Sequence, residues 1–134
     1  MLVLLAGAGR ADAHSIPADK VNDQKIFWGS AASFTKPGEV DYQAIVKATP
    51  EYASIKKKKI KSGTAKYWIL ISKASDHAVR VISQVGRESD YDLVVAKDYL
   101  SALDPPIPTV GITDLVLKRL RSEGKDGSRA ETGK

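Results

Sequence analysis

The chain has no cysteine and only two histidines among its 134 residues. Without cysteine there is no disulfide and no thiolate chemistry, although this absence does not identify the compartment. His14 and His77 lie far apart in the sequence without the spacing that metal ligands show, so we predict no metal site. The sequence also lacks a glycine-rich phosphate loop, a nucleophile elbow and a helical His-Glu motif. We therefore predict no cofactor.

The carboxylates Glu88, Asp90, Asp92 and Asp98 form the one cluster worth weighing as acid–base groups. They surround an apolar strand and have no histidine or metal partner in the sequence pattern. We interpret them as surface groups and predict no catalytic residues, so the protein is not expected to be an enzyme.

The overall composition is that of one globular domain. Apolar residues make up 43% of the chain and charged residues 28%, ordinary values that argue against wholesale disorder. A chain of this length can bury a real core. The net charge of +5 favours anionic partners.

The first residues have the pattern of an export signal. Residues 1–9 are short and apolar, and Ala11-Asp12-Ala13 follows in the small-x-small pattern of a signal-peptidase site. About ten apolar residues are too few to span a bilayer, which needs about 20. We interpret residues 1–13 as a signal-peptide-like segment that is cleaved before His14. An N-terminal core strand or helix is the alternative.

Residues 64–100 predict a long helix and then a short strand. Thr64 is the expected N-cap, and Gly86 marks the expected helix end. Residues 91–95 alternate in the manner of a half-buried or fully buried strand. An apolar stripe with spacings of three and four is typical of a helix that packs along a partner. We predict hairpin or oligomer packing for its members, which are Tyr67, Ile71, Ala74, Ala78, Val81 and Val85.

A shorter helix is predicted before the long one. Thr49 can cap it, Pro50 suits its first position, and Glu51 favours the positive end of its dipole. Ser62-Gly63 then interrupts the pattern, which predicts a turn and a helical hairpin at about residues 50–87. One continuous helix is the alternative, since a lone glycine costs only about 1 kcal/mol.

The densest run of positively charged residues lies just before Ser62-Gly63. A solvated helix face is its simplest interpretation. As a functional surface it would bind lipid headgroups, acidic polypeptide or nucleic acid. The nearby aromatic residues Tyr52, Tyr67 and Trp68 are predicted to lie in the core, so nucleic acid is the least favoured partner. The lysines of the run are Lys56, Lys57, Lys58, Lys59 and Lys61.

Two groups of segments carry a family pattern. In the first, residues 40–46 (VDYQAIV) precede a Thr-Pro-Glu-Tyr helix restart at residues 49–52. In the second, residues 90–95 (DYDLVV) precede a loop and residues 112–118 (ITDLVLK). In this order they resemble the Skp/OmpH family of periplasmic chaperones over roughly residues 40–120.

The resemblance implies a trimer whose small β-rich body joins the subunits. Helical arms surround a cavity that holds unfolded outer-membrane proteins without ATP. Here the arms would be much shorter than the coiled coil of the family. Residues 36–39 (KPGE) also stand where the family has an apolar strand. Because proline belongs at sheet edges, residues 25–28 are expected to supply the missing strand.

We therefore expect an α+β protein with a small β-rich body, a short helical hairpin as a truncated coiled-coil arm, and a C-terminal helix. These elements would form a single domain of residues 14–121, followed by a disordered tail at residues 122–134. Trp68 and Ile82 lie on a second face of the long helix. That face would contact either another copy or the last helix of the same chain.

The predicted function is an ATP-independent periplasmic holdase chaperone or envelope scaffold. Its partners would be unfolded outer-membrane polypeptides, other copies in a trimer, and an anionic membrane surface. The alternative is a small basic module that binds nucleic acid or another anionic polymer through the lysines at residues 56–61.

Overall fold

The computed structural model describes residues 13–132, and the side chains of these residues up to Glu123. As predicted, this part of the chain is a mixed α+β structure, with four helices and one four-stranded sheet. The strands are β1 (Ile26–Gly29), β2 (Pro37–Val40), β3 (Leu93–Ala96) and β4 (Val110–Gly111). The helices are α1 (Tyr42–Lys47), α2 (Pro50–Lys57), α3 (Ala65–Glu88) and α4 (Thr113–Thr132).

The sheet has the order β1-β3-β2-β4. β1 runs antiparallel to β3, whereas β2 is parallel to both β3 and β4. Leu93, Val94 and Val95 of β3 are fully buried. Burial of consecutive residues means that both faces of the sheet are covered, which is usual where parallel strands are joined by helices.

Residues 37–39 lie in an inner strand, although a strand was expected at residues 25–28 in their place. β1 does supply a strand at residues 26–29, but β2 begins at Pro37 and pairs with a neighbour on each side. Pro37 is the first residue of β2, a position at which a missing N–H group is tolerated. The inference from proline alone was therefore wrong about this strand.

The two faces of the sheet have different covers. On one face, α1, α3 and α4 pack over Val40 and Val94. On the other face, Leu93 and Val95 contact a second cluster that includes Ile16 and Phe34 from the chain before β2. That N-terminal part is held in place by backbone hydrogen bonds, as in the His14–Phe34 bridge.

The helical hairpin is present, and the chain is not one continuous helix at residues 62–63. Thr49 and Thr64 cap α2 and α3, and each hydroxyl accepts a backbone N–H bond of 3.2 Å, from Tyr52 and Tyr67 respectively. Between the helices the chain reverses direction. Gly63 has a φ of +92°, a conformation that glycine adopts without strain.

Gly86 does not end the long helix, which continues to Glu88. A Cβ atom at Gly86 would lie 2.6 Å from Cδ1 of Trp28 and 3.1 Å from Cγ2 of Val94. Glycine at this position allows α3 to approach the sheet closely, so its role is packing and not helix termination.

The last helix continues to Thr132, through most of the segment predicted as a disordered tail from Ser122. Residues 122–132 include the helix formers glutamate, lysine, arginine and alanine, and they contain no proline that would stop the helix. The tail boundary at residue 122 is therefore corrected. The proposed signal segment lies almost wholly outside the described residues, of which only Ala13 belongs to it.

Candidate binding surface at the hairpin tip

The predicted apolar stripe of α3 divides into two parts. Ala74, Ala78 and Val81 are fully buried and Val85 nearly so; all four lie inside the chain's own core. Tyr67 and Ile71, nearer the start of the helix, are half-buried. The four buried residues serve packing within the subunit, so an oligomer cannot use them. Their burial is that of packing within the chain.

We define the hairpin tip as residues 56–69, from the last turn of α2 to the first turn of α3. The chain reverses here, and the five predicted lysines are all exposed. Lys56 and Lys57 end α2, and the other three lie in the turn. Nζ of Lys56 lies 5.8 Å from the centre of the Tyr52 ring, so the charge of Lys56 lies over an aromatic face.

The charge of the hairpin is of one sign. Between Tyr52 and Ser75 the sequence has seven lysines and no acidic residue. Lys66 and Lys73 thus extend the predicted patch along α3, and both are exposed. Because the whole chain carries only +5, the rest of it is net negative. The positive potential is therefore concentrated at one end of the molecule.

Two large apolar side chains are exposed within this positive region, which sequence reasoning missed. Trp68 is 58% exposed and Ile69 is 55% exposed, so the prediction that Trp68 lies in the core was wrong. The ring of Tyr67 meets that of Trp68 edge-on, with centres 5.1 Å apart. A usable signal was the spacing of Lys66, Ile69 and Lys73, which places lysine beside Ile69 on both sides along one helix face.

His77 joins three helices at the base of the hairpin. Its Nδ1 lies 2.9 Å from Oε1 of Glu51 in α2, and its Nε2 lies 3.1 Å from Oε1 of Glu123 in α4. Burial lowers the pKa of His77, and Arg80 adds to that effect. The hydrogen bonds to both carboxylates and the charge of Glu51 outweigh them, so the pKa of His77 is raised. This contact fixes how the hairpin joins the body.

Two of the four clustered carboxylates, those of Asp92 and Glu88, have structural contacts. Asp92 accepts backbone N–H bonds of 2.7 Å from Thr35 and Lys36. Burial raises the pKa of Asp92, but these bonds and that of the Thr35 hydroxyl outweigh it, so the pKa lies below its ordinary value. Glu88 is paired with Arg119, whose hydrogen bond lowers the pKa of the glutamate.

The acidic side chains of one cleft also have structural contacts. Among the side chains that the structure describes, up to Glu123, no group of three His, Asp or Glu is placed to hold a metal ion. A cleft of about 370 Å³ lies at the carboxyl ends of β2 and β3. Its Asp41 caps α1 and its Glu39 accepts the backbone N–H of Asp98, so these oxygens stabilise the fold.

Comparison with family models, with curated proteins and with solved structures gave no match to this chain. None of the helices that the structure describes is both long and apolar enough to cross a bilayer. The hairpin tip, with lysines around exposed apolar side chains, is the surface best suited to a partner.

Proposed function

We propose that this protein is an ATP-independent holdase or envelope scaffold of the Skp/OmpH type that binds unfolded outer-membrane polypeptides in the periplasm. The observation that carries the proposal is the exposure of Trp68 and Ile69 among the lysines of the hairpin tip. An unfolded chain offers apolar and acidic stretches in no fixed order. A surface that offers both apolar side chains and positive charge can bind such chains weakly and without a chemical reaction.

The contact between the two family-like segments also supports the proposal. The first group of segments contains the last residue of β2 and most of α1, and the second contains most of β3 and the start of α4. The strands pair in parallel, and the backbone N–H of Asp41 donates to the Thr113 hydroxyl at 2.9 Å. Segments far apart in sequence thus form one body, with the hairpin projecting between them.

The arm lengths limit how a client is held. The eight residues of α2 span about 12 Å and the 24 residues of α3 about 36 Å. Because the second half of α3 is covered by the sheet and α4, only its first half projects with α2. Helices this short cannot enclose a deep cavity. We therefore propose that a client binds to the hairpin tips of several copies.

A trimer would need a contact other than the buried stripe of α3. Exposed apolar side chains near the edge of the sheet supply a candidate: Val110 in β4 is 53% exposed and Leu115 in α4 is 41% exposed. Light scattering is expected to give the mass of three subunits, and Val110→Lys should lower it. A monomeric unaltered protein would remove the trimer from the proposal.

The holdase activity is tested by diluting a denaturant-unfolded β-barrel membrane protein into buffer and following turbidity. We expect suppression of aggregation at near-stoichiometric ratios without nucleotide. Trp68→Ser combined with Ile69→Ser should reduce it, whereas Val21→Ser, an exposed apolar residue outside the tip, should not. No suppression at several-fold excess of the unaltered protein would remove the chaperone function.

A basic module for nucleic acid or another anionic polymer is the second candidate. The exposure of Trp68 favours it, because an exposed indole beside lysines can stack on a base. Binding would weaken steeply as salt is raised. Replacing Lys56, Lys57, Lys58 and Lys59 with glutamine should abolish it, and binding that survives this change would reject the patch.

A further inference from the structure

We propose that the hairpin tip docks on the surface of an anionic lipid bilayer, with Trp68 and Ile69 inserted at the headgroup level and the lysines against the headgroups. This proposal requires neither a client nor an oligomer, so it does not rest on the holdase function. Both proposals use the same surface, and each is tested without the partner of the other.

The placement of the apolar side chains supports docking by insertion. Trp68 and Ile69 are consecutive residues in the first turns of α3, directly after the chain reversal. They therefore lie next to the turn of the hairpin, and both side chains are more than half exposed. The Tyr67 ring meets the Trp68 ring edge-on, and the indole remains 58% exposed beside this contact.

The charge pattern supports an anionic surface. The seven lysines between Tyr52 and Ser75 have no acidic residue among them, so an approaching negative surface meets no repulsion there. Lysine clusters beside exposed Trp and aliphatic side chains are typical of segments that lie in a membrane interface. Indole rings prefer the headgroup region because one edge is polar and the rest is apolar.

The same residues fit a bilayer better than a nucleic acid. Between residues 52 and 75 there is no arginine, the side chain that reads phosphate and base edges with paired N–H groups. A single-strand platform stacks successive bases on several aromatic rings. Here the exposed indole is that of Trp68, and its neighbour Ile69 has no aromatic ring on which a base could stack. A hydrated lysine ammonium needs no such geometry to meet a layer of headgroups.

The test uses the full chain with vesicles of phosphatidylcholine alone and of an equal mixture of phosphatidylcholine and phosphatidylglycerol. Residues 1–9 are themselves apolar, so the tip is judged by variants of the same full chain. We expect binding to the mixed vesicles, a blue shift of the Trp68 fluorescence, and release by salt. Trp68→Phe leaves Trp28 as the remaining tryptophan and should abolish the shift.

Replacing Lys56, Lys57, Lys58 and Lys59 with glutamine should weaken binding by about two orders of magnitude or more, since each lysine near an anionic surface contributes about fivefold. The matched control makes the same charge change at exposed lysines outside the tip. It should bind nearly as the unaltered chain does. The control lysines are Lys20, Lys25, Lys47 and Lys118.

Three outcomes would overturn the proposal. The tip variant could bind mixed vesicles as tightly as the control variant. Binding could leave the Trp68 emission unchanged, which would exclude insertion. Finally, a single-stranded oligonucleotide at equal phosphate concentration could displace the chain from the mixed vesicles, which would assign the tip to nucleic acid.

Discussion

Replacing His77 with glutamine tests the contact that joins three helices at the base of the hairpin. Both ring nitrogens of His77 face a carboxylate oxygen, of Glu51 on one side and of Glu123 on the other. Only the protonated imidazolium can donate to both carboxylates, because the neutral ring has one N–H group. A glutamine amide can donate as well, but it carries no charge to offset two carboxylates.

The pH dependence follows from the raised pKa of His77. A group whose pKa is higher in the folded state than in the unfolded state binds its proton more tightly when folded. Its stabilisation is complete below the unfolded value of about 6.5 and is lost as pH rises through the folded pKa. The free energy of unfolding should therefore fall as the pH is raised from slightly acidic to slightly alkaline.

The size of the effect can be judged from the burial and the bonds. The His77 side chain is only 13% exposed, so solvent screens its two bonds weakly. Hydrogen bonds to charged groups contribute about 1.5–3 kcal/mol, so His77→Gln should cost about 2 kcal/mol near pH 6. With a urea m value of about 2 kcal/mol/M, the midpoint falls by about 1 M. Near pH 9 the cost should shrink to about 0.5–1.5 kcal/mol, the range for a neutral bond.

Urea unfolding followed by circular dichroism at several pH values measures both the cost of His77→Gln and the pH dependence of the free energy of unfolding. Glu51→Gln and Glu123→Gln should each reduce the pH dependence, because each removes one of the partners that raise the pKa. The reasoning is refuted if the unaltered protein and His77→Gln lose stability in parallel from about pH 6 to about pH 9, the range that brackets the unfolded pKa.

Three further predictions concern the body of the protein. Gly86→Ala should cost about 1–3 kcal/mol in urea unfolding, because its Cβ would lie 2.6 Å from the Trp28 ring, whereas Gly111→Ala has open space and should cost less. Thr49→Ala should cost about 1–2 kcal/mol by the same assay, because it removes a buried cap. Asp92→Asn should flatten the loss of stability in acid, because the lowered pKa of Asp92 makes its contribution disappear as pH falls through the folded pKa.

Local patterns in the sequence predicted the helical hairpin and the inner strand β3 well. The caps at Thr49 and Thr64 depend on a hydroxyl and its nearest backbone neighbours, which the sequence shows directly. The short apolar run at residues 93–95 predicted a buried strand, because a run of this length and composition is typical of a strand that is covered on both faces. These features need no information about distant residues.

The errors arose where distant residues decide the outcome. Gly86 resembles a helix end until Trp28, far away in the sequence, is placed against it. β2 was missed because proline and glycine look like a loop, whereas pairing on both sides makes those residues a strand. Trp68 was assigned to the core with the other aromatic residues near the lysines, but it lies in the first turn of α3 and is 58% exposed. For Gly86 and β2, no local pattern carries this information.

The burial along α3 implies that the tip and the body can be altered separately. From Ala74 onward the stripe residues of α3 are in the core, whereas the residues before it have partial cover. Segments with few buried contacts open at lower cost than the global unfolding free energy. Replacing exposed tip lysines should therefore leave the global unfolding free energy within about 0.5 kcal/mol. His77→Gln should have the opposite effect, because it should lower the global unfolding free energy and leave the tip lysines and Trp68 in place. If the lysine variant instead lost as much stability as His77→Gln, the tip would be part of the core, and a loss of lipid or client binding could no longer be assigned to its surface.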